Sequence, residues 1–173
     1  MKVVITGGAG FLGGRLAREL AAKGTLTGPD GKPQKLTEIV QFDIAKAAPI
    51  PGNGAACRGE VGSIADMAEI RRVLAGASSV FHLGAVVSGG AEADFDLGMA
   101  VNLDGTRNVL EACRALGARP RVVFASSVAV FGGKIPQVVT DDTPVTPETS
   151  YGAQKAMGEL MISDFSRKGF LDG

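Results

Sequence analysis

The 173 residues predict a doubly wound α/β domain built on a parallel sheet. Three observations carry this reading. Apolar β-branched runs alternate with helix-periodic stretches; the first run opens through a glycine-rich turn into a helix; and the last helix-periodic stretch holds a tyrosine and a lysine four residues apart. Strand and helix in strict rotation imply parallel strands joined by right-handed crossovers, and no internal repeat interrupts the rotation.

Val3-Val4-Ile5 reads as a buried strand closed by Thr6-Gly7-Gly8. A helix follows from Phe11, with Leu12, Leu16 and Leu20 as a stripe toward the sheet and Gly24 as its stop. Thr27-Gly28-Pro29-Asp30-Gly31-Lys32-Pro33 is dense in turn formers and reads as an exposed insertion. Leu36 to Phe42 regains strand character and ends at Asp43; residues 45–54 are loop, and a weaker strand is expected around Ala56 to Val61. Ser63-Ile64-Ala65-Asp66 is a capping pattern for a helix to Leu74. Ser79 to Leu83 makes a fourth strand, Asp94 to Leu116 one long helix, Arg121 to Ala125 a fifth strand, and Ser150 to Lys168 a last helix. On that last helix Met157, Leu160, Met161 and Phe165 share a side, and the two methionines suit either core packing or a dimer interface.

Composition removes several function classes. Eighteen basic residues balance 18 acidic ones, which leaves no electrostatic footprint for a phosphate backbone, and one Tyr with no Trp gives no base-stacking platform. No nucleic-acid partner is expected. No apolar run approaches the roughly 18–20 residues of a membrane span, and Met1 to Ile5 is too short for a signal peptide. Cys57 and Cys113 lie far apart and fit no metal spacing, so they read as reduced thiols of a cytoplasmic protein. With a single histidine, no metal site is expected; His82 reads as structural or cofactor-adjacent.

Gly7, Gly10 and Gly13 stand three apart directly behind the first strand. Gly7 allows the sharp turn, Gly10 lets backbone approach a pyrophosphate, and Gly13 lets the helix pack close to the sheet. The free N–H groups and positive end of the helix that begins at Phe11 and Leu12 suit the anionic pyrophosphate of a dinucleotide. Asp43 ends the second strand, where a carboxylate accepts ribose hydroxyls and repels a 2′-phosphate; with no arginine beside it, this favours NAD over NADP. Its distance from Gly13 exceeds the usual ~20 residues, and the insertion at 27–33 accounts for the excess. The bland alternatives are a tight strand–helix turn and a strand-end aspartate.

Tyr151 and Lys155 share one face of a helix. A phenol ordinarily ionises near ~10, so base catalysis near neutrality requires a stabilised phenolate, and an ammonium one turn away supplies that. A hydroxyl to hold the substrate oxygen should come from the end of the fifth strand, where Ser126 and Ser127 stand.

Together these residues resemble the extended short-chain dehydrogenase/reductase family, which includes nucleotide-sugar epimerases and dehydratases. The matches are Thr6-Gly7-x-x-Gly10-x-x-Gly13, Asp43, His82-Leu83-Gly84-Ala85, Asn102 with Gly105-Thr106, Ser126-Ser127-x-x-x-Phe131-Gly132 and Tyr151-x-x-x-Lys155. The resemblance implies a Rossmann-like fold, NAD as cofactor, and a catalytic set of Ser127, Tyr151 and Lys155, with Tyr151 and Lys155 also meeting the cofactor. It assigns Ser126 to positioning the cofactor, Leu83, Gly84 and Ala85 to its diphosphate-ribose region, and Asn102 to bracing the site. Where the family often has an acid this chain has Ser63, so adenine falls to the Ser63 hydroxyl or the Ile64 backbone. Val128 and Ala129 replace the acid pair of dehydratases, which argues against dehydration. Narrower likenesses, in residues 26–31, 127–133 and 140–152, point to members that oxidise the C2 hydroxyl of a four-carbon sugar acid. A nucleotide-sugar epimerase and a non-catalytic NAD-binding module are the alternatives. The family's helices near Asn102 and Tyr151 often pair across a two-fold axis, which implies a homodimer.

Members of that family continue well beyond the Tyr-x-x-x-Lys helix into a substrate lobe, whereas this sequence ends at Phe170-Leu171-Asp172-Gly173. The expectation is therefore one dinucleotide-binding domain over 1–173 without the C-terminal substrate domain, either a piece of a longer enzyme or a shortened gene product. An exposed sheet edge and marginal stability follow, and no cation for a small carboxylate substrate can be named.

Overall fold

The computed structural model describes residues 1–28, 31–51 and 54–173. In chain order these form β1 (Lys2–Thr6), α1 (Phe11–Lys23), β2 (Thr25–Thr27), β3 (Pro33–Lys35), β4 (Glu38–Asp43), β5 (Ala56–Val61), α2 (Met67–Leu74) and β6 (Ser79–His82). The second half contains α3 (Ser88–Ala93), α4 (Phe95–Gly98), a π-helical turn (Met99–Asp104), α5 (Gly105–Leu116), β7 (Arg121–Phe124), a 3-10 turn (Val128–Val130) and α6 (Ser150–Arg167).

Five strands make one sheet in the order β5-β4-β1-β6-β7, every pair parallel. Counting only these strands, the order is 3-2-1-4-5, the doubly wound arrangement whose strand order reverses beside β1. A ligand crevice is therefore expected outside the carboxyl ends of β1 and β6. The core lies on both faces. One layer packs Val4, Val40 and Val80 against Ile70, Leu74, Val109 and Leu110, and the other packs Val3, Ile5 and Ile39 against Ala17, Leu20 and Ala21. Among the described residues no helix is long and apolar enough to cross a membrane.

Several expectations change on contact with the fold. Leu12 is exposed, not part of the α1 stripe; the buried face is Gly13, Ala17, Leu20 and Ala21, because Leu12 sits at the open first turn. The insertion contributes an antiparallel pair, β2 with β3, around its tip, while Pro29 and Asp30 lie outside the described residues. The α2 cap is Asp66, not Ser63: its carboxylate accepts from the Ala68 and Glu69 amides at 2.8 and 3.1 Å. The long helix expected over 94–116 runs without interruption from Phe95 to Leu116, but carries a π-helical turn between α4 and α5, a device common at functional sites. Leu160 points to solvent at 73% exposure, whereas Met161 and Phe165 pack on the core.

The far edge of the sheet is only partly open. The last residues return to it: Asp172 bridges Arg121 in parallel register, the Val122 amide donates to Asp172 O at 2.7 Å, and the Arg121 guanidinium pairs with the Asp172 carboxylate at 2.8 Å. Val123 beside it remains exposed.

Candidate functional site

The carboxyl edge of the sheet gathers the residues singled out by the sequence. The turn after β1 is held by backbone contacts that admit no side chains. Gly7 adopts φ +69°, and a Cβ there would stand 2.8 Å from the Gly84 amide nitrogen on the loop after β6. A Cβ on Gly13 would overlap the Gly7 carbonyl, so α1 crosses the turn at backbone distance. Gly10 is the residue before α1, with no side-chain cap and no acid in the first turn. Phe11 and Leu12 flank that helix end in solvent. A positive helix terminus that its own chain does not neutralise is an anion site in form.

Asp43 closes the turn from the β4 side. Its Oδ2 accepts from the Ala9 amide at 3.0 Å and its Oδ1 from the Ala45 amide at 3.0 Å, so one carboxylate fixes both the glycine turn and its own loop. Two groups here escaped the sequence reading. Gln41 is buried in β4 and donates from Nε2 to Gly8 O at 2.7 Å, while Gly8 has no room for a Cβ against Gln41. A polar residue inside the apolar run Ile39-Val40-Gln41-Phe42 was the available signal, since a buried amide needs a partner. Arg18 lines the same depression as Gly8, Gly10 and Gln41, a cavity of about 210 Å³.

The loop after β6 meets this turn through Thr6 and His82. The Leu83 amide donates to Thr6 O and the Gly84 amide to Thr6 Oγ1, both at 3.2 Å. His82 Nδ1 lies 2.7 Å from Thr6 Oγ1 and Nε2 lies 3.0 Å from Thr106 Oγ1. Thr106 donates its hydroxyl proton to Asn102 O at 2.6 Å, so Nε2–H must be the donor to Thr106, and Nδ1 the acceptor from Thr6. His82 is thus a neutral, structural imidazole; burial, and then the nearby Lys155 charge, push it down to about 3.

Residues 102–108 clamp the adjoining loops. Asn102 Oδ1 accepts from the Val86 amide at 2.8 Å, and its Nδ2 donates to Val86 O at 3.0 Å and to Gln154 Oε1 on α6 at 2.7 Å. Asn102 is a brace whose donors are spent on protein. Asn108, also overlooked in the sequence, donates to Ile64 O and Ala65 O, both at 3.1 Å. Ile64 is buried against Gly105, and the Ser63 amide donates to Glu69 at 2.7 Å. Ala85 is half-buried on the loop between Gly84 and Val86.

The opposite end of the crevice is built by β7 and α6. Ser127 Oγ accepts from the Ala129 amide at 3.1 Å, capping the 3-10 turn and leaving its proton free to donate elsewhere. Gly152, next to Tyr151, has no room for a Cβ against the Ala129 carbonyl, so the first turn of α6 sits directly on the turn that follows Ser127. Thr149 Oγ1 accepts from the Gly152 amide at 3.0 Å and Glu92 from the Ser150 amide at 2.6 Å, fixing that helix end. Lys155 is buried one turn on; its Nζ donates to Ala125 O at 2.9 Å and lies 5.8 Å from the centre of the Tyr151 ring. Burial lowers Lys155 to about 8. Ser126 is exposed, and its hydroxyl is bonded to Glu159 rather than aimed into the crevice.

The carboxyl edge of the parallel sheet at the switch point, with its close-packed glycine turn, has the form of a nucleotide-binding domain. The chain belongs to the NAD dependent epimerase/dehydratase family, whose model matches residues 3–172. It is 54% identical over 174 residues to a D-erythronate dehydrogenase of Cupriavidus necator, covering 100% of this chain and 53% of that protein. Its fold superposes with TM-score 0.91 and 40% identity on a nucleoside-diphosphate-sugar epimerase from Agrobacterium tumefaciens, covering 100% of this chain and 51% of that one. It superposes with TM-score 0.79 and 34% identity on a short-chain dehydrogenase/reductase superfamily protein of the same species with bound NAD, covering 99% of this chain and 47% of that one. The chain spans about half the length of these proteins.

Proposed function

We propose that this chain is the NAD-binding half of a dehydrogenase that oxidises the C2 hydroxyl of a small sugar acid such as D-erythronate to the 2-keto acid. The observation that supports the reading is the placing of two features at the carboxyl end of one parallel sheet: a close-packed glycine turn after β1, and the seating of the first turn of α6 on the turn after Ser127 by the Gly152–Ala129 contact, with Lys155 bonded to Ala125 O. The 54% identity to a D-erythronate dehydrogenase supports the substrate class.

NAD fits the residues present. The amides at the start of α1 would hold its pyrophosphate, Asp43 its adenosine ribose, and Leu83, Gly84 and Ala85 the adjoining wall. The Ser63 hydroxyl and the Ile64 amide are the groups left to meet adenine, because Ile64 O is taken by Asn108. Ser126 contributes its place at the end of β7 and not its hydroxyl, which is taken by Glu159. Asp43 favours NAD over NADP by charge, although Arg18 lines the depression beside Gly8, Gly10 and Gln41.

Bound NAD would supply the hydride acceptor. Ser127 donates its free hydroxyl proton to the substrate oxygen and holds it toward Tyr151. The Tyr151 phenolate takes the C2 hydroxyl proton, and the Lys155 ammonium, desolvated and therefore strong in its field, favours that phenolate. The expected result in the full-length enzyme is loss of at least about a hundredfold in turnover for Tyr151→Phe, with NAD affinity kept. Near wild-type turnover would refute the mechanism. The 173 residues alone are expected to bind NAD without turning over sugar acid.

The likeness to a nucleoside-diphosphate-sugar epimerase favours a second reading, a sugar-nucleotide epimerase that regenerates its cofactor in place. Net NADH formation from free D-erythronate supports the dehydrogenase; tightly held cofactor without net reduction supports the epimerase. A homodimer through the Asn102 and Tyr151 helices belongs to the same proposal: Phe95 and Leu97 on α4 and Leu160 on α6 are exposed apolar residues in that region. A sedimentation profile with only monomer, unchanged by Leu160→Glu, would exclude it.

A further inference from the structure

Lys155 is a buried cation with few groups to balance it. The residue is 3% exposed, Ala125 O is its hydrogen-bond acceptor, and among the described residues no carboxylate is paired with it. Two aromatic rings flank it: Nζ stands 4.7 Å from the centre of Phe124, nearer than the 5.8 Å to Tyr151. An ammonium within about 6 Å of a ring centre is attracted by the negative face of the π-system, most strongly when water is excluded.

The ring is held in that place from other sides as well. Gly158, three residues after Lys155 on α6, leaves the space: a Cβ there would come within 2.7 Å of Phe124 Cζ. On the sheet side the His82 ring packs at 5.6 Å between centres, tilted by 33°. His82 is kept neutral by Thr6 and Thr106, so no second positive charge presses on the ammonium through the ring. The titratable groups that face the Lys155 head are therefore Tyr151 on its own helix and His82 on β6; Glu159 on α6 is turned to Ser126. A residue needed only to fill volume here would not have to be aromatic. Leu or Met would serve.

We propose that Phe124 is a positioning residue of the site: its ring face, with the Ala125 carbonyl, keeps the Lys155 ammonium charged and in place beside Tyr151. The consequence for turnover rests on the Ser127–Tyr151–Lys155 reading, whereas the ring–ammonium contact can be tested without it. Burial pushes the Lys155 titration down, and the ring face opposes that by favouring the charged form. Removing the ring therefore moves the lysine titration down, narrowing the pH range in which the ammonium exists.

The test is an NMR titration of the Lys155 Cε–H₂ group in this chain, in the wild type, Phe124→Met and Phe124→Tyr. In the wild type the Hε resonances are expected upfield of an ordinary lysine, from the ring current, with a midpoint below the ordinary 10.5. Phe124→Met should lower that midpoint by about half a pH unit or more, and Phe124→Tyr should keep it. An unshifted wild-type Hε resonance overturns the proposal, and so does a Met variant that titrates like the wild type. If Phe124→Met does not fold, the wild-type ring-current shift decides alone. In a full-length enzyme the alkaline limb of kcat/KM should move down with the same variant. A titration that moves while this limb does not would sustain the ring–ammonium contact and overturn the catalytic role of Lys155.

Discussion

The two ends of the crevice are built on different principles. At β1 and β4 the cradle is made of backbone against backbone: Gly7 against Gly84, Gly13 against Gly7, Gly8 against Gln41. At β7 and α6 the site is made of side chains, with Ser127, Tyr151 and Lys155 held by a carbonyl, a ring and one close helix contact at Gly152. The first end is finished by its own contacts. The second has an exposed outer flank, with Ser126, Val123 and Leu160 in solvent. The lesson is that glycine specifies shape for a ligand common to many proteins, while the proposed chemistry would depend on a few side chains in a small buried setting.

Separating the two ends should produce the largest effects. Gly13→Ala puts a methyl group where the Gly7 carbonyl stands. It is expected to cost about 2–4 kcal/mol of stability and at least about a hundredfold in NAD affinity, read by denaturant melts and NADH fluorescence titration. Gly152→Ala meets the Ala129 carbonyl instead, and should cost similar stability while leaving NAD affinity within about threefold. Equal losses of affinity in both variants would show that the two ends are not separable.

Acid and alkali should probe the same division through two buried bases. His82 is held at about 3 against an ordinary 6.5, so the unfolded chain takes up the proton first as pH falls. Stability is complete above 6.5 and is lost between 6.5 and about 3, at up to about 1.4 kcal/mol per pH unit. His82→Gln should flatten that slope. Lys155 works at the other end of the scale: lowered to about 8 from 10.5, it makes stability rise with pH between those values, a slope that Lys155→Met should remove. Urea midpoints taken across pH measure both.

Smaller effects belong to groups nearer solvent. Asp43→Asn keeps its acceptor oxygen for Ala9 or Ala45 but loses the charge, so NAD binding should weaken by about tenfold and the preference over NADP should shrink. Leu160→Ser, at a position 73% exposed, should change chain stability by less than about 0.5 kcal/mol.

Most of the sheet was legible because parallel strands buried on both faces read as β-branched runs, and the glycine spacing places its own turn. Tyr151 with Lys155 was legible because a helix period puts them on one face. What stayed hidden has physical causes. The long helix expected over 94–116 hid a π-helical turn, since nothing in Met99-Ala100-Val101-Asn102 announces a wider winding. Gln41, Asn108, Gln154 and Phe124 act by contacts that join segments far apart in sequence, and periodicity carries no trace of those. Ser126 stood at the strand end as expected, but the side on which its hydroxyl lies was set by Glu159, a helix away.

The glycine turn is expected to hold a dinucleotide independently of the chemistry at the other end. Calorimetric titration of NAD into this chain tests it most directly, alongside Gly13→Ala and Tyr151→Phe. The prediction is one saturable site that prefers NAD to NADP, is lost in Gly13→Ala and persists in Tyr151→Phe. No saturable binding in the folded wild-type chain, or a site untouched by Gly13→Ala, would contradict it.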